Sequence, residues 1–406
     1  MQNRKLIAIA AFVSASFCAG QMAMADWTCF RGANYDGISR ETGFVKEWKE
    51  PIPLVWERDI GSAFSSFAVV GDKLYTCGTS EDQQTLYCLD AKTGKVNWLN
   101  RFGPAFRDSF GDGTRATPTV AHGKVYIQGA SGKLVCVDAE TGKDVWSHQF
   151  NHAPTWGYSG SVLIEGDLAI SSAGNNEGAL IAFDRITGAK KWHTGDDPAG
   201  YSTPYPFTYK DKRYIVGFTG ESAIVVDAKS GRLVSRIPWK TNYKVNAAAP
   251  IYHDGYLFLT SGYETGCGLF KLEADGKNLV ATEVWKSRVL MNKFQSCILH
   301  EGNLYSCDQK ALACVDFKTG EEKWRVRKVK HGTLVMADGH LLLLTQSGRL
   351  QIAPVSPSGF EALTDAEVLS GKCWTVSVLD NGKLFARNMK RVICLDLKGG
   401  PAKSAD

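Results

Sequence analysis

The chain has 406 residues, 44% of them hydrophobic and 22% charged, with 41 Gly and 13 Pro; it is too apolar for a disordered protein and has the makeup of a globular one. Forty-seven Lys and Arg against 42 Asp and Glu leave a net charge of +5. No basic block grips nucleic acid and there is no acidic tail.

In chain order, Asn3-Arg4-Lys5 is a short basic start, Leu6 to Gly20 is an apolar run, and Ala23-Met24-Ala25 is a small-x-small cleavage site before Asp26. The run is shorter than the ~20 apolar residues a bilayer requires. Residues 1–25 are therefore expected to be a cleaved signal peptide, which makes the protein periplasmic or secreted. Cys18 follows the bulky Phe17, which argues against a lipid anchor, and no later stretch has the length and apolarity of a membrane span. Residues 26–50 form an N-terminal segment expected to pack on the rest of the chain, because Trp27, Phe30 and Tyr35 would otherwise expose much apolar surface. Phe30-Arg31-Gly32 is expected to lie across one face as a plug.

From residue 51 to 400 the chain repeats itself. LYCLDAKTGKVNW (86–98) recurs as LVCVDAETGKDVW (134–146), LIAFDRITGAKKW (180–192) and LACVDFKTGEEKW (312–324), with weaker copies at 223–235, 269–278, 350–363 and 392–400. The marks Asp90, Asp138, Asp184, Asp227, Glu273, Asp316, Val355 and Asp396 stand 39 to 48 residues apart, the period of four-stranded propeller blades. A second series of tight-turn signals gives the same count: Gly71-Asp72, His122-Gly123, Glu165-Gly166, Lys210-Asp211, Asp254-Gly255, Glu301-Gly302, Asp338-Gly339 and Asn381-Gly382. Each unit reads strand, tight turn, strand, loop, strand, D-x-x-T-G turn, strand. Asp and Thr of that turn can bond nearby backbone N–H groups and Gly supplies the left-handed residue. The recurrent Trp98, Trp146, Trp192 and Trp324 are expected to pack between blades with an acceptor for each indole N–H. The last unit lacks its fourth strand, and PIPLVWERDIG (51–61) resembles one; it is expected to complete the eighth blade and close the ring. Residues 401–406 are a tail.

Ten of the 11 Cys lie beyond the signal segment. Cys88, Cys136, Cys314 and Cys394 each precede a repeat mark by two residues, which reads as core filling. Cys307 and Cys314, flanking a short hairpin, are the best-placed pair for a disulfide. There is no C-x-x-C, no haem motif and no adjacent Cys pair. The eight His show no metal-ligand spacing, so no metal site is expected.

The repeated D-A-x-T-G-K-x-x-W resembles the tryptophan-docking repeat of PQQ-type eight-bladed propellers, a superfamily of quinoprotein alcohol dehydrogenases and BamB-like assembly factors. WTCFRGANYDGIS (27–39), GDGTRATPTV (111–120), GYSTPYPF (200–207) and SGYETGCGL (261–269) resemble bacterial PQQ-binding-like β-propeller repeat proteins. The resemblance implies an all-β, eight-bladed β-propeller of four-stranded antiparallel blades. The Gly-His and Trp-Asp punctuation of WD repeats is missing.

In a propeller the first strand of every blade lines the channel, so residues at the starts of those strands converge on one mouth. They include Arg115, Thr117, Tyr158, Ser159, Tyr201, Asn246 and Trp374, a mixture suited to a planar polyanion or a sugar-like ligand. A water-filled funnel is the plainer alternative. No catalytic residue stands out. For a PQQ-dependent alcohol or sugar dehydrogenase, the resemblance implies a carboxylate base, a Ca²⁺ ion on oxygen ligands and a vicinal cysteine pair. The pair is absent from this sequence; Asp108, Asp112, Asn242, Asn246 and Glu264 are the possible ligands or bases. A binding or protein-interaction scaffold resembling BamB is favoured, without confident assignment of a cofactor, with a protein or small-molecule ligand at the mouth and a monomeric ring. The quinoprotein dehydrogenase is the alternative, and a carbohydrate-binding or lyase-like propeller using Tyr and Arg, for which no dedicated motif is present, ranks third.

Overall fold

A computed structural model describes residues 26–399 apart from 328 and 330; the expected signal peptide and tail lie outside the described residues. Eight sheets surround a central channel, each with four antiparallel blade strands; one of them gains a short fifth strand paired parallel to its innermost strand, and another takes its outer strand from the N-terminal part of the chain. The protein is an eight-bladed β-propeller. Blade 1 consists of Ala68–Val70, Lys73–Ser80, Gln83–Asp90 and Val96–Pro104. Blade 2 starts at Thr119–Ala121, blade 3 at Leu163–Glu165, blade 4 at Tyr205–Tyr209 and blade 5 at Ile251–His253. Ile298–His300, Thr333–Ala337 and Val378–Asp380 open blades 6, 7 and 8. The first two strands of each blade are joined by a two-residue turn. Seven of these turns fall on the expected dipeptides, and that of blade 3 falls one residue later, at Gly166–Asp167.

The core is divided among the interfaces between blades. Tyr75, Cys77, Leu86 and Cys88 of blade 1 pack on Val125, Ile127, Val135 and Val137 of blade 2, each such burial contributing about 1.5–3 kcal/mol. Outer strands are half exposed, as in Asp144–Gln149. All ten described cysteines are buried and free, which fits the core-filling reading, and the best-placed candidate pair, Cys307 and Cys314, is not bridged. In that hairpin Cys307 stands opposite Leu312 and Cys314 opposite Tyr305. The two sulfurs are diagonal neighbours, with Cα atoms roughly 7–8 Å apart, beyond the reach of a bridge.

The repeated turn has a simple chemistry. The Asp90 carboxylate accepts hydrogen bonds from the backbone N–H of Lys92 and Thr93 and from the Thr93 hydroxyl; Asp138 and Asp316 do the same in their turns. Bonding to Lys124 and Thr141 holds the Asp138 carboxyl down at about 2. The next-door tryptophan then lies on the glycine of that turn. Trp98 covers Gly142, Trp146 covers Gly188 and Trp285 covers Gly320, each ring so near that a Cβ there would sit 2.5–2.8 Å from it. The indole N–H of Trp98 reaches the Ala139 carbonyl at 3.1 Å and that of Trp146 reaches Arg185 at 3.0 Å.

Closure uses the N-terminal strand Leu54–Asp59, which pairs antiparallel with Arg391–Asp396 as the outer strand of blade 8. Its Trp56 bonds the Ala91 carbonyl at 3.0 Å and covers Gly94 of blade 1. Arg387, fully buried on blade 8, donates to the carbonyls of Ser65, Cys77, Gly61 and Met389.

The segment before that strand crosses the channel. Val69 N–H donates to the Trp27 carbonyl and Val120 N–H to that of Thr28, which ties the segment to the innermost strands of blades 1 and 2. The buried Arg31 donates to Tyr35, Asp36 and Cys297 carbonyls. Ile38–Ser39 pairs parallel with Met336 and Ala337, inside the innermost strand of blade 7, and Ser39 Oγ donates to Leu379 of blade 8.

Candidate functional site

At the end of the channel where the first strands begin lies a cavity of about 200 Å³. Its floor includes Phe30 of the crossing segment. Of the sequence candidates, Arg115, Thr117, Ser159, Tyr201 and Trp374 line it. Tyr158 and Asn246 do not. Tyr158 is fully buried in the neighbouring core, its hydroxyl donating to the Ala173 carbonyl at 2.7 Å beside Phe150. Asn246 is fully buried as well, its amide held by the Thr219 and Trp239 carbonyls and by Ser261 Oγ. In both places the immediate neighbour faces the cavity instead: Ser159 beside Tyr158, and Val245 and Ala247 around Asn246.

The hydroxyls on the wall stitch one blade to the next. Thr117 Oγ1 accepts from Ser66 N–H, Ser161 Oγ from Thr117 N–H and Thr203 Oγ1 from Ser161 N–H. Ser159 Oγ donates to Tyr201 O, Thr333 Oγ1 to Thr375 O and Thr375 Oγ1 to Phe64 O. The polar wall is thus in large part structural.

What faces the opening is aromatic and cationic. Phe64 stacks on Trp374 with centroids 5.8 Å apart, Phe294 lies 4.7 Å from Trp374, and Trp156 packs against Tyr201. The Arg115 guanidinium lies over Phe106 at 4.6 Å, donates to the Trp156 carbonyl and pairs with Asp108 at 3.5 Å. Burial outweighs the two nearby aspartates and lowers its pKa to about 10, so it remains cationic at neutral pH. Burial pushes the Tyr201 hydroxyl up to about 12, so it is the neutral phenol at neutral pH. Lys293 lies 4.9 Å over Phe110 and 5.1 Å over Tyr263. Lys372 lies over Trp374 and donates to the Phe110 carbonyl.

Phe110 comes from the connection before blade 2 and meets residues of three other blades, Trp156, Lys293 and Lys372. The connection is anchored at its base: Phe64 N–H donates to the Thr114 carbonyl, and Gly113, at φ +90°, lies where a Cβ would be 2.0 Å from the Ser62 carbonyl oxygen. Phe30 lines the cavity as the expected plug across the face, whereas sequence reasoning missed Phe110, Trp156, Tyr263 and Lys293 as wall residues. The unusual length of RDSFGDGTR was the available signal for Phe110; nothing in the repeat offsets marked the others.

Among the described residues no group of three or more His, Cys, Asp or Glu is placed to hold a metal ion. The candidate oxygen ligands do not converge. Asp108 pairs with Arg115, Asp112 with Arg107, and Glu264 with Lys310; Asn242 is exposed and Asn246 is held in the core. The donor set therefore does not fit a PQQ–Ca²⁺ centre.

The fold and the repeat geometry define a PQQ-type propeller. The family model described as outer membrane protein assembly factor BamB matches residues 101–326, and the chain belongs to that family. No curated protein matches it in sequence. Among solved structures, BamB from Moraxella catarrhalis is 16% identical with a TM-score of 0.60, covering 85% of this chain and 99% of that one. A quinohemoprotein alcohol dehydrogenase from Comamonas testosteroni is 13% identical with a TM-score of 0.66, covering 96% and 83%. A europium-containing methanol dehydrogenase is 14% identical with a TM-score of 0.54, covering 89% of each. At these identities the likeness is one of fold alone.

Proposed function

We propose that the protein is a periplasmic or secreted binding scaffold, with the aromatic, cationic channel mouth as its binding surface and no catalytic step of its own. The observation that supports this reading is the state of the reactive groups at the mouth. Among the described residues the one carboxylate on its wall, Asp108, is paired with Arg115, Tyr201 is held in its neutral form, and the hydroxyls bond neighbouring blades. Abstraction of a proton from a substrate needs a free base within reach, and the described wall offers none.

The alternative, a PQQ-dependent dehydrogenase, draws support from the stacked Phe64 and Trp374 rings beside Arg115, which suit a planar anion. One experiment separates the two. Purified protein is mixed with PQQ and Ca²⁺, and its melting temperature and dye-linked oxidation of alcohols are recorded. Neither is expected to respond. Dye reduction overturns the scaffold reading.

A further inference from the structure

We infer that the mouth takes an acidic protein segment carrying an aromatic side chain, and that the chain's own 108–112 loop partly occupies that place; the inference rests on the scaffold reading and names the chemistry of the partner. The four connections leading into blades 5, 6, 7 and 8 (239–250, 288–297, 327–332 and 368–377) contain no Asp or Glu in their sequences. They carry Lys240, Lys244, Arg288, Lys293, Arg327 and Lys372 among the described residues, and four of these, Lys240, Lys244, Arg288 and Arg327, are exposed. Of the acids in the adjoining turns, Glu264 and Asp308 are paired with Lys310 and Arg325, and Glu221 lies 3.8 Å from Lys244, which leaves Lys240, Arg288, Lys293, Arg327 and Lys372 to carry the charge of this face. Half of this face is therefore a cationic arc running from the edge of the ring to the cavity. An arc of that extent exceeds what a small ligand in the cavity touches and matches an extended anionic segment.

The occupant's chemistry is written in the loop already there. Asp108-Ser109-Phe110-Gly111-Asp112 is an acid–aromatic–acid sequence. It holds the Phe110 ring, 40% exposed, against Lys293 and the edge of Trp156, while Lys372 bonds its backbone. Asp108 and Asp112 meet Arg115 and Arg107. A partner aromatic entering between Lys293, Trp156 and Phe294 would meet the same donors and ring faces, with its flanking carboxylates directed at the arc.

The test is a fluorescence-anisotropy titration of the intact protein with three short labelled peptides: Asp/Glu-rich with a central Phe, the same with Lys for the acids, and the same with Ser for the Phe. The acidic Phe peptide is expected to bind at least about tenfold more tightly than either analogue and to weaken as salt rises. Lys293→Glu is expected to cost about tenfold; the exposed pair R288E/R327E is expected to weaken binding as well, and an unchanged melting temperature of that variant separates a binding loss from unfolding. Equal affinity for all three peptides, no binding, or tighter binding of polygalacturonate or PQQ overturns the inference. Peptide failure without dye reduction leaves the scaffold reading in place, whereas dye reduction removes that reading as well.

Discussion

The indole of Trp98 lies flat on Gly142 of the next blade, 2.5 Å from where a Cβ would stand, while its N–H bonds the Ala139 carbonyl three residues earlier. One side chain thus reads both the absence of a side chain and the presence of a turn on its neighbour. Gly142 also has φ +69°. Gly142→Ala is expected to destabilise the protein by about 2–4 kcal/mol, through left-handed backbone strain plus overpacking. Gly123 has φ +71° with nothing within 4 Å of a Cβ, so Gly123→Ala is expected to cost only about 1–2 kcal/mol. Urea denaturation of the two variants measures the difference, which belongs to the ring contact.

Closure depends on a strand contributed from the other end of the chain. Trp56 is buried and ties the outer strand of blade 8 to blade 1. Trp56→Ala is expected to cost about 3–5 kcal/mol, and deletion of residues 51–60 is expected to lower the melting temperature sharply. Calorimetry checks both, and an unchanged melt after the deletion would show that the ring does not need this strand.

Asp380, on the first strand of blade 8, has its carboxyl pushed up to about 7 by burial and by the neighbouring Glu41 and Asp26. The neutral form is favoured in the folded protein. Its contribution is therefore fully present below the unfolded pKa near 4 and is lost as pH rises through about 7. Asp380→Asn is expected to melt higher than the parent at pH 8, with the gap closing between about pH 7 and pH 4. Paired melts across that range measure it; a gap constant with pH sinks the assignment.

Burial raises the thiol of every described cysteine, to about 12 in Cys77, Cys136 and Cys394. Thiolate is the reactive form, so the native protein is expected to leave these ten thiols unlabelled by a disulfide reagent at neutral pH. Labelling of all of them is expected to follow the urea unfolding curve. Rapid labelling of the native protein at any of them contradicts the free, buried state.

The blades were legible in the sequence because their defining contacts are local or repeat at a fixed offset. Asp90 bonds residues two and three positions on, and Trp98 meets a turn that recurs with the period of the ring. The same offsets place Arg115, Thr117, Ser159, Tyr201 and Trp374 on the cavity wall. Tyr158 and Asn246 escape that reasoning because side chains alternate along extended backbone, so an error of one residue turns a wall residue into a core residue. Lys293, Phe110 and Trp156 reach the mouth from connections whose lengths differ between blades, and no periodicity announces them.

The segment tying Trp27 and Thr28 to blades 1 and 2, and Gly37 to Ser39 to blades 7 and 8, has a further consequence. It makes the ring a cup rather than a tube. With Phe30 in its base, the depth of the cavity is set by a segment contributed from before the first blade, so a change in residues 27–39 alters the cavity without touching any blade.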